Sequence, residues 1–98
     1  SSNEYPLLIL HMIIRQVRLL KHYAILIDSG YIGKDVQLNL KIGDYEYKKI
    51  ASQSKNFSKA QLDNFLNQCL RCDKLIKTGS MDSKLAIEML LTELCQWL

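Results

Sequence analysis

Apolar side chains return every third or fourth residue through most of this chain. The clearest run is Leu62, Phe65, Leu66, Cys69, Cys72 and Ile76, a spacing that puts all six on one face of a helix. Ser58 with Gln61 three residues on forms a Ser-x-x-Gln capping box at its start, and Phe57 is placed to staple against Leu62. Gly79 supplies a left-handed cap at the other end, where Lys74 and Lys77 suit the negative pole of the helix dipole. The pattern therefore predicts a helix over residues 58–78. After the short hinge Lys77-Thr78-Gly79-Ser80 a further helix starts, capped by Asp82 or Ser80, and runs to near the terminus. So short a connection requires the two helices to pack as neighbours.

Upstream, residues 6–27 also read as a helix, with Pro6 tolerated in the first turn because its missing amide hydrogen would have no partner there. Gly30 and Gly33 break it, and Tyr31 and Ile32 are expected to fold back onto the core. Two short helices follow at 34–40 and 44–53, with Lys41-Ile42-Gly43 as the turn and Asp44 able to cap. Period-two alternation is confined to a short ambiguous run at 36–42 that could be misread as a strand. The expectation is an all-α, five-helix bundle with no internal repeat and no low-complexity linker.

The first and last long helices carry more apolar side chains than one buried face can use. Residues 85–98 are hydrophobic around nearly the whole circumference, broken mainly by Glu88, Thr92, Glu93 and Gln96. A helix apolar all round must be covered all round. Either the last helix sits centrally among its siblings, or another chain completes one stripe. At ~25 cal/mol per Å², a few hundred Å² buried in a partner would contribute several kcal/mol before association costs.

Composition narrows the picture modestly. A chain of 98 residues with 48% hydrophobic content, one proline and four glycines is one ordered domain. A domain of this size has a stability on the order of 5 to 10 kcal/mol. The formal charge of +3 comes from thirteen basic residues interspersed with ten acidic ones and does not by itself argue for nucleic acid. Three cysteines cannot all pair within one molecule, and no basic and apolar leader precedes them, so a reducing cytosol is the simpler setting. The apolar run at 7–14 stops at Arg15, far short of the ~20 residues a membrane span needs. The polar, uncapped opening Ser1-Ser2-Asn3 suits a fragment from the end of a longer protein.

Candidate chemistry is thin. Cys69-x-x-Cys72 could supply half of a tetrahedral zinc site, but both lie mid-helix on the apolar face with no second Cys or His pair, as small buried hydrophobes do. Gly30-x-x-Gly33-Lys34 lacks the four-residue spacing of a phosphate loop, and Asp35 stands where Ser or Thr belongs and would repel phosphate. His11 and His22 share a helix face at a separation of roughly 16 Å, too far for one metal, and neither has a nucleophile partner. Arg15, Arg18 and Lys21 form a narrow basic stripe beside His22, either solvated or facing an acidic partner. Residues 36–50 look like a helix-turn-helix with Lys41, Lys48 and Lys49 near phosphates. The second helix, however, offers Asp44, Glu46 and two tyrosines expected to pack, where base reading needs Arg, Asn or Gln.

Two spaced motifs make the chain similar to a known family. Asp73, Ile76, Lys77, Thr78 and Gly79 match a helix ending D-x-x-I-K-T/S-G, and Leu85, Ala86, Glu88, Leu90 and Leu91 match L-A-x-E-x-L-L in the next helix. Near the start, Ile13, Arg15, Gln16, Arg18, Leu19 and Leu20 match I-x-R-Q-x-R-L-L. Together with the Phe57-Ser58 step, these cover residues 5–94 and resemble the C-terminal domain of the bacterial DNA polymerase III delta subunit. The family often has proline near the start of the second short helix, where this chain has Asp44.

The resemblance implies a non-catalytic collar domain of the clamp loader, without cofactor or metal, in a cytoplasmic complex that has DNA-directed DNA polymerase activity. It would join gamma/tau and delta-prime subunits in a five-membered ring. Amino-terminal clamp-binding and AAA+-like domains, absent from residues 1–98, would bind the sliding clamp; DNA contact would be indirect, with no membrane involved. On this account Ile87, Leu91, Leu94 and Trp97 are the expected partner contacts, with Arg15 and Arg18 as a polar rim. The rival expectation is a helix-turn-helix regulator that binds DNA as a dimer.

Overall fold

The computed structural model describes residues 4–96. Among these, five α-helices follow one another as α1 (Glu4–Asp28), α2 (Lys34–Leu40), α3 (Asp44–Gln53), α4 (Lys59–Lys77) and α5 (Ser83–Cys95). A single 3-10 turn, Ser54–Asn56, precedes α4, and no strand occurs among the described residues. The ambiguous stretch 36–42 is helical up to Leu40, because Val36 and Leu40, four apart, both turn inward. The all-α, five-helix expectation holds.

The bundle is organised by the pairing of α1 with α4, the most extensive contact between elements. Leu10, Ile14, Val17 and Leu20 of α1 meet Leu62, Phe65, Cys69, Cys72 and Ile76 of α4 in one buried cluster. Charges set the direction of this pairing. His11 pairs with Asp73 (2.8 Å) and Lys21 with Asp63 (2.6 Å), while farther along Asp28 pairs with Lys59. As α1 advances its partners retreat along α4, so the helices run antiparallel. Each exposed pair contributes only ~0–1 kcal/mol, but a reversed alignment would lose all three.

Helix ends account for much of the local fit. The Ser58 hydroxyl accepts the Gln61 amide (3.1 Å) and the Gln61 side chain accepts the Ser58 amide (2.9 Å), completing the predicted box. At the far end of α4, Ser80 N–H donates to Leu75 O (2.9 Å) and Gly79 N–H to Ile76 O (3.1 Å) around Gly79 at φ 72. That is a full Schellman closure. Asp82, rather than Ser80, caps α5 by accepting the Leu85 amide (3.1 Å); Ser80 instead pairs with the Thr78 hydroxyl.

The turn Lys41-Ile42-Gly43 lies where expected, with Lys41 left-handed (φ 57) and Gly43 extended. Three local expectations are corrected. The cap of α3 is Gly43; Asp44 is already helical, and its carboxylate accepts from Gln37 (2.7 Å) instead of capping. Tyr31 and Ile32 do not fold back: they are 41% and 76% exposed. Their backbone is committed to closing α1, since Tyr31 N–H donates to Leu26 O and Gly30 N–H to Ile27 O, which swings the two side chains outward. Of the two tyrosines on α3, Tyr47 packs against Tyr23 with ring centroids 6.2 Å apart, but Tyr45 lies outside beneath Lys49.

Candidate interaction site

The residues with the most chemical promise in the sequence are committed to structure. Cys69 is fully enclosed and burial, with some contribution from nearby Cys72, pushes its thiol up to about 12. Burial and the neighbouring Asp73 charge raise Cys72 as well. Such thiols are protonated at neutral pH and neither bind metal readily nor attack an electrophile. Among the described residues no group of three His, Cys, Asp or Glu side chains could hold a metal ion.

The motif residues likewise fasten helices together. Arg15 grips Glu46 through both terminal nitrogens (2.6 and 3.2 Å), and Gln16 donates to Gln53 (2.7 Å), so the first motif ties α3 to α1. Asp73 receives His11 from α1 and Lys77 from its own helix (2.9 Å). Burial works to raise the Asp73 carboxyl, but the hydrogen bonds from Lys77 and His11 outweigh it and hold the group below the usual carboxylate range. Thr78 and Gly79 terminate α4, and Ile76 is buried.

The two short helices of the helix-turn-helix reading both rest on α1, α3 also against the 3-10 turn, and Gln37 and Lys34 of α2 reach Asp44 at the start of α3. A hydrogen bond from Gln37, with Lys34 nearby, holds the Asp44 carboxyl low; hydrogen bonding to Arg15 outweighs burial and does the same at Glu46. Both carboxylates at the start of α3 are therefore ionised and already paired, Asp44 with Lys34 and Glu46 with Arg15.

What remains unsatisfied is apolar surface. On α5, Ala86, Ile87 and Leu90 are buried, and Leu94 is half-buried. Leu94 lines a groove of about 370 Å³ whose walls include Ile13, Val17, Leu20, Phe57 and Phe65. Leu85, Met89 and Leu91 stand out at 50%, 53% and 40% exposure. Ile87, expected at a partner contact, is thus enclosed at home, whereas Leu91 is available; Trp97 lies outside the described residues.

A second exposed stripe was not singled out by sequence. Tyr5, Leu8 and Met12 are 72%, 56% and 63% exposed, and their steps of three and four place them on one side of α1, turned away from Leu10, Ile14 and Val17. The signal was present as a second apolar period on the same helix.

The polar candidates occupy different ground. Arg18, His22 and Lys77 line a cleft of about 490 Å³ between α1 and α4. Leu94 meets α1 at positions 13, 17 and 20, and the cleft uses positions 11, 15, 18 and 22. The structure therefore does not join Arg18 to Leu94. No helix among the described residues is long and apolar enough to cross a membrane.

Comparison with known proteins is consistent along nearly the whole chain. Residues 1–94 match the family model described as DNA polymerase III delta subunit, C-terminal domain. DNA polymerase III subunit delta of Bacillus subtilis (strain 168) is 32% identical over 94 residues, covering 96% of this chain and 27% of that protein. The chain thus spans about a quarter of the length of the curated relative it matches. No solved structure matches it.

Proposed function

The chain belongs to the family of carboxy-terminal domains of DNA polymerase III delta subunits, and on that premise we propose that it serves as a non-catalytic collar domain of the clamp loader. In this reading it is the helical end of a longer protein whose amino-terminal clamp-binding and AAA+-like parts lie outside residues 1–98. Gamma/tau and delta-prime subunits are its neighbours, and ATP hydrolysis and polymerisation belong to other components. DNA is touched only indirectly, in the cytoplasm of a bacterium.

The observation that carries the proposal is the apolar surface that α5 leaves on both flanks of its buried stripe. Leu85 and Met89, four apart, are exposed on one flank and Leu91 on the other, while Ala86, Ile87 and Leu90 between them enter the domain's own core. Water contact with such side chains is unfavourable, and covering them recovers ~25 cal/mol per Å². Leu91, Leu94 and Trp97 are the proposed contacts, with Ile87 supporting them from beneath and Arg15 and Arg18 as a separate polar contact. The mechanism is geometric: docked helix faces hold the clamp-opening part of the protein at a fixed place while its neighbours turn over ATP.

The test is co-elution of the full-length delta protein with gamma and delta-prime subunits in size-exclusion chromatography. Leu91→Glu and Met89→Glu, which leave the core intact, are expected to weaken co-elution at least about tenfold while the helical circular dichroism is unchanged. Undiminished co-elution of both variants would end the proposal. So would a salt-sensitive shift of short duplex DNA abolished by Lys48→Glu and Lys49→Glu, which is the behaviour of a DNA-binding regulator.

A further inference from the structure

The cleft between α1 and α4 has a composition that selects its ligand. Its walls carry Arg15, Arg18, His22 and Lys77, and its floor carries Leu19 and Leu70, the latter 38% exposed. Arg15 is already neutralised by Glu46 and Lys77 by Asp73. Arg18 has no acidic partner among the described residues. Arg15, Arg18 and Lys77 set against Glu46 and Asp73 leave a surplus of one positive charge, carried by Arg18.

That surplus matches one carboxylate, not a run of phosphates. A polyanion would have to pass the ionised Asp73 and would find only Arg18 among the fixed cations without an acidic partner. Apolar floor residues would contribute nothing to a phosphate, whereas they reward a hydrophobic neighbour of the acidic group. Asp73 lies on the flank of α4 that faces α1, and Arg71 and Leu75, on the other flank, line a different cavity beside α5. The cleft and the α5 face are therefore distinct surfaces.

We propose that the α1–α4 cleft is a docking site for a protein segment that presents one acidic side chain beside an apolar one, the carboxylate meeting Arg18 and the apolar group resting on Leu19 and Leu70. It rests on the assembly reading only in taking the partner to be a protein.

The test is a titration of the isotope-labelled 98-residue chain, followed by amide chemical shifts, with a short capped helical peptide carrying a single Glu flanked by leucines at helical spacing. Shifts are expected at Arg18, Leu19, Leu70 and Lys77, with affinity about tenfold lower for the Glu→Gln peptide. Arg18→Glu should abolish binding of the original peptide and restore it for a Glu→Lys peptide; Arg18→Gln serves as a milder control. Equal binding of the Glu and Gln peptides overturns the proposal, as does no binding at millimolar peptide. Tighter binding of a single-stranded thymidine oligonucleotide, lost in Arg18→Glu, also overturns it in favour of nucleic acid. None of these outcomes bears on co-elution through Leu91 and Met89, so the two readings fail separately.

Discussion

Helices α4 and α5 are joined by five residues and draw on the same kinds of side chain, yet they meet solvent in opposite ways. Along α4 the buried positions Leu62, Phe65, Cys69, Cys72 and Ile76 form a single stripe, and much of the outward side is polar, with Asn64, Asn67, Arg71 and Lys74. Along α5 the buried positions are Ser83, Ala86, Ile87 and Leu90, and Leu85, Met89 and Leu91 are left in water. Helix α5 is the more apolar of the two, and the excess shows as an apolar set wider than the arc its neighbours cover.

Removing a side chain from the closed side should have the largest effect. Ile76→Ala leaves a cavity at a fully enclosed site and is expected to cost about 2–5 kcal/mol in urea unfolding, a large share of the stability of so small a domain. If it cost less than ~1 kcal/mol, α4 would not be a closed helix.

Next come the ends of α4. Ser58→Ala removes one half of a reciprocal cap and should cost about 1 kcal/mol. Gly79→Ala should cost a similar ~1 kcal/mol, because the position lies at φ 72. Both are read by the shift of the denaturation midpoint.

Smaller still is the α1–α4 seam. Asp73→Asn should lower stability by about 1 kcal/mol at pH 7 by weakening the bonds to His11 and Lys77. The folded Asp73 carboxyl is held below its ordinary value of 3.8, so its contribution is present above that value and disappears as pH falls through the lower folded value. The stability difference between parent and variant should therefore shrink below about pH 4, measurable by parallel acid titrations.

At the bottom of the scale, Leu91→Glu should change the stability of the isolated domain by no more than ~0.5 kcal/mol, since the side chain is largely outside. A loss near that of Ile76→Ala would erase the contrast between the two helices.

A chemical probe sharpens the same contrast. Cys69 and Cys72 belong to the closed side and Cys95 is exposed on the open helix. An alkylating reagent at about pH 8 should label Cys95 in the folded state and reach Cys69 only on unfolding, as peptide mass mapping would show.

Several features were legible because their causes are local. The capping box at Ser58 follows from side chains acting on backbone groups within about four residues, and the Gly79 stop from the left-handed backbone that glycine allows. The two short helices are bounded by Gly33, Lys41 and Gly43 without side-chain caps. The seam was not legible in the same way. His11 and Asp28 meet residues 62 and 31 positions away, Lys21 likewise meets the distant Asp63, and nothing in their own neighbourhoods announces those partners. The expectations for Tyr31, Ile32 and Asp44 failed for one reason. Each treated a side chain as free to choose its direction, whereas the backbone hydrogen bonds that end α1 and begin α3 had already set it.

The amino-acid order alone determined that this protein is an all-α bundle, where its helices start and stop, and which family it resembles, because periodicity and capping operate within a turn or two of helix. Only the tertiary structure decided which apolar stripes remain uncovered: it enclosed Ile87, exposed Leu91 and placed Arg18 on a flank apart from Leu94. A helix with hydrophobic residues on every side has no inward face of its own, and the face it buries is set by where distant partners such as α1 and α4 lie against it.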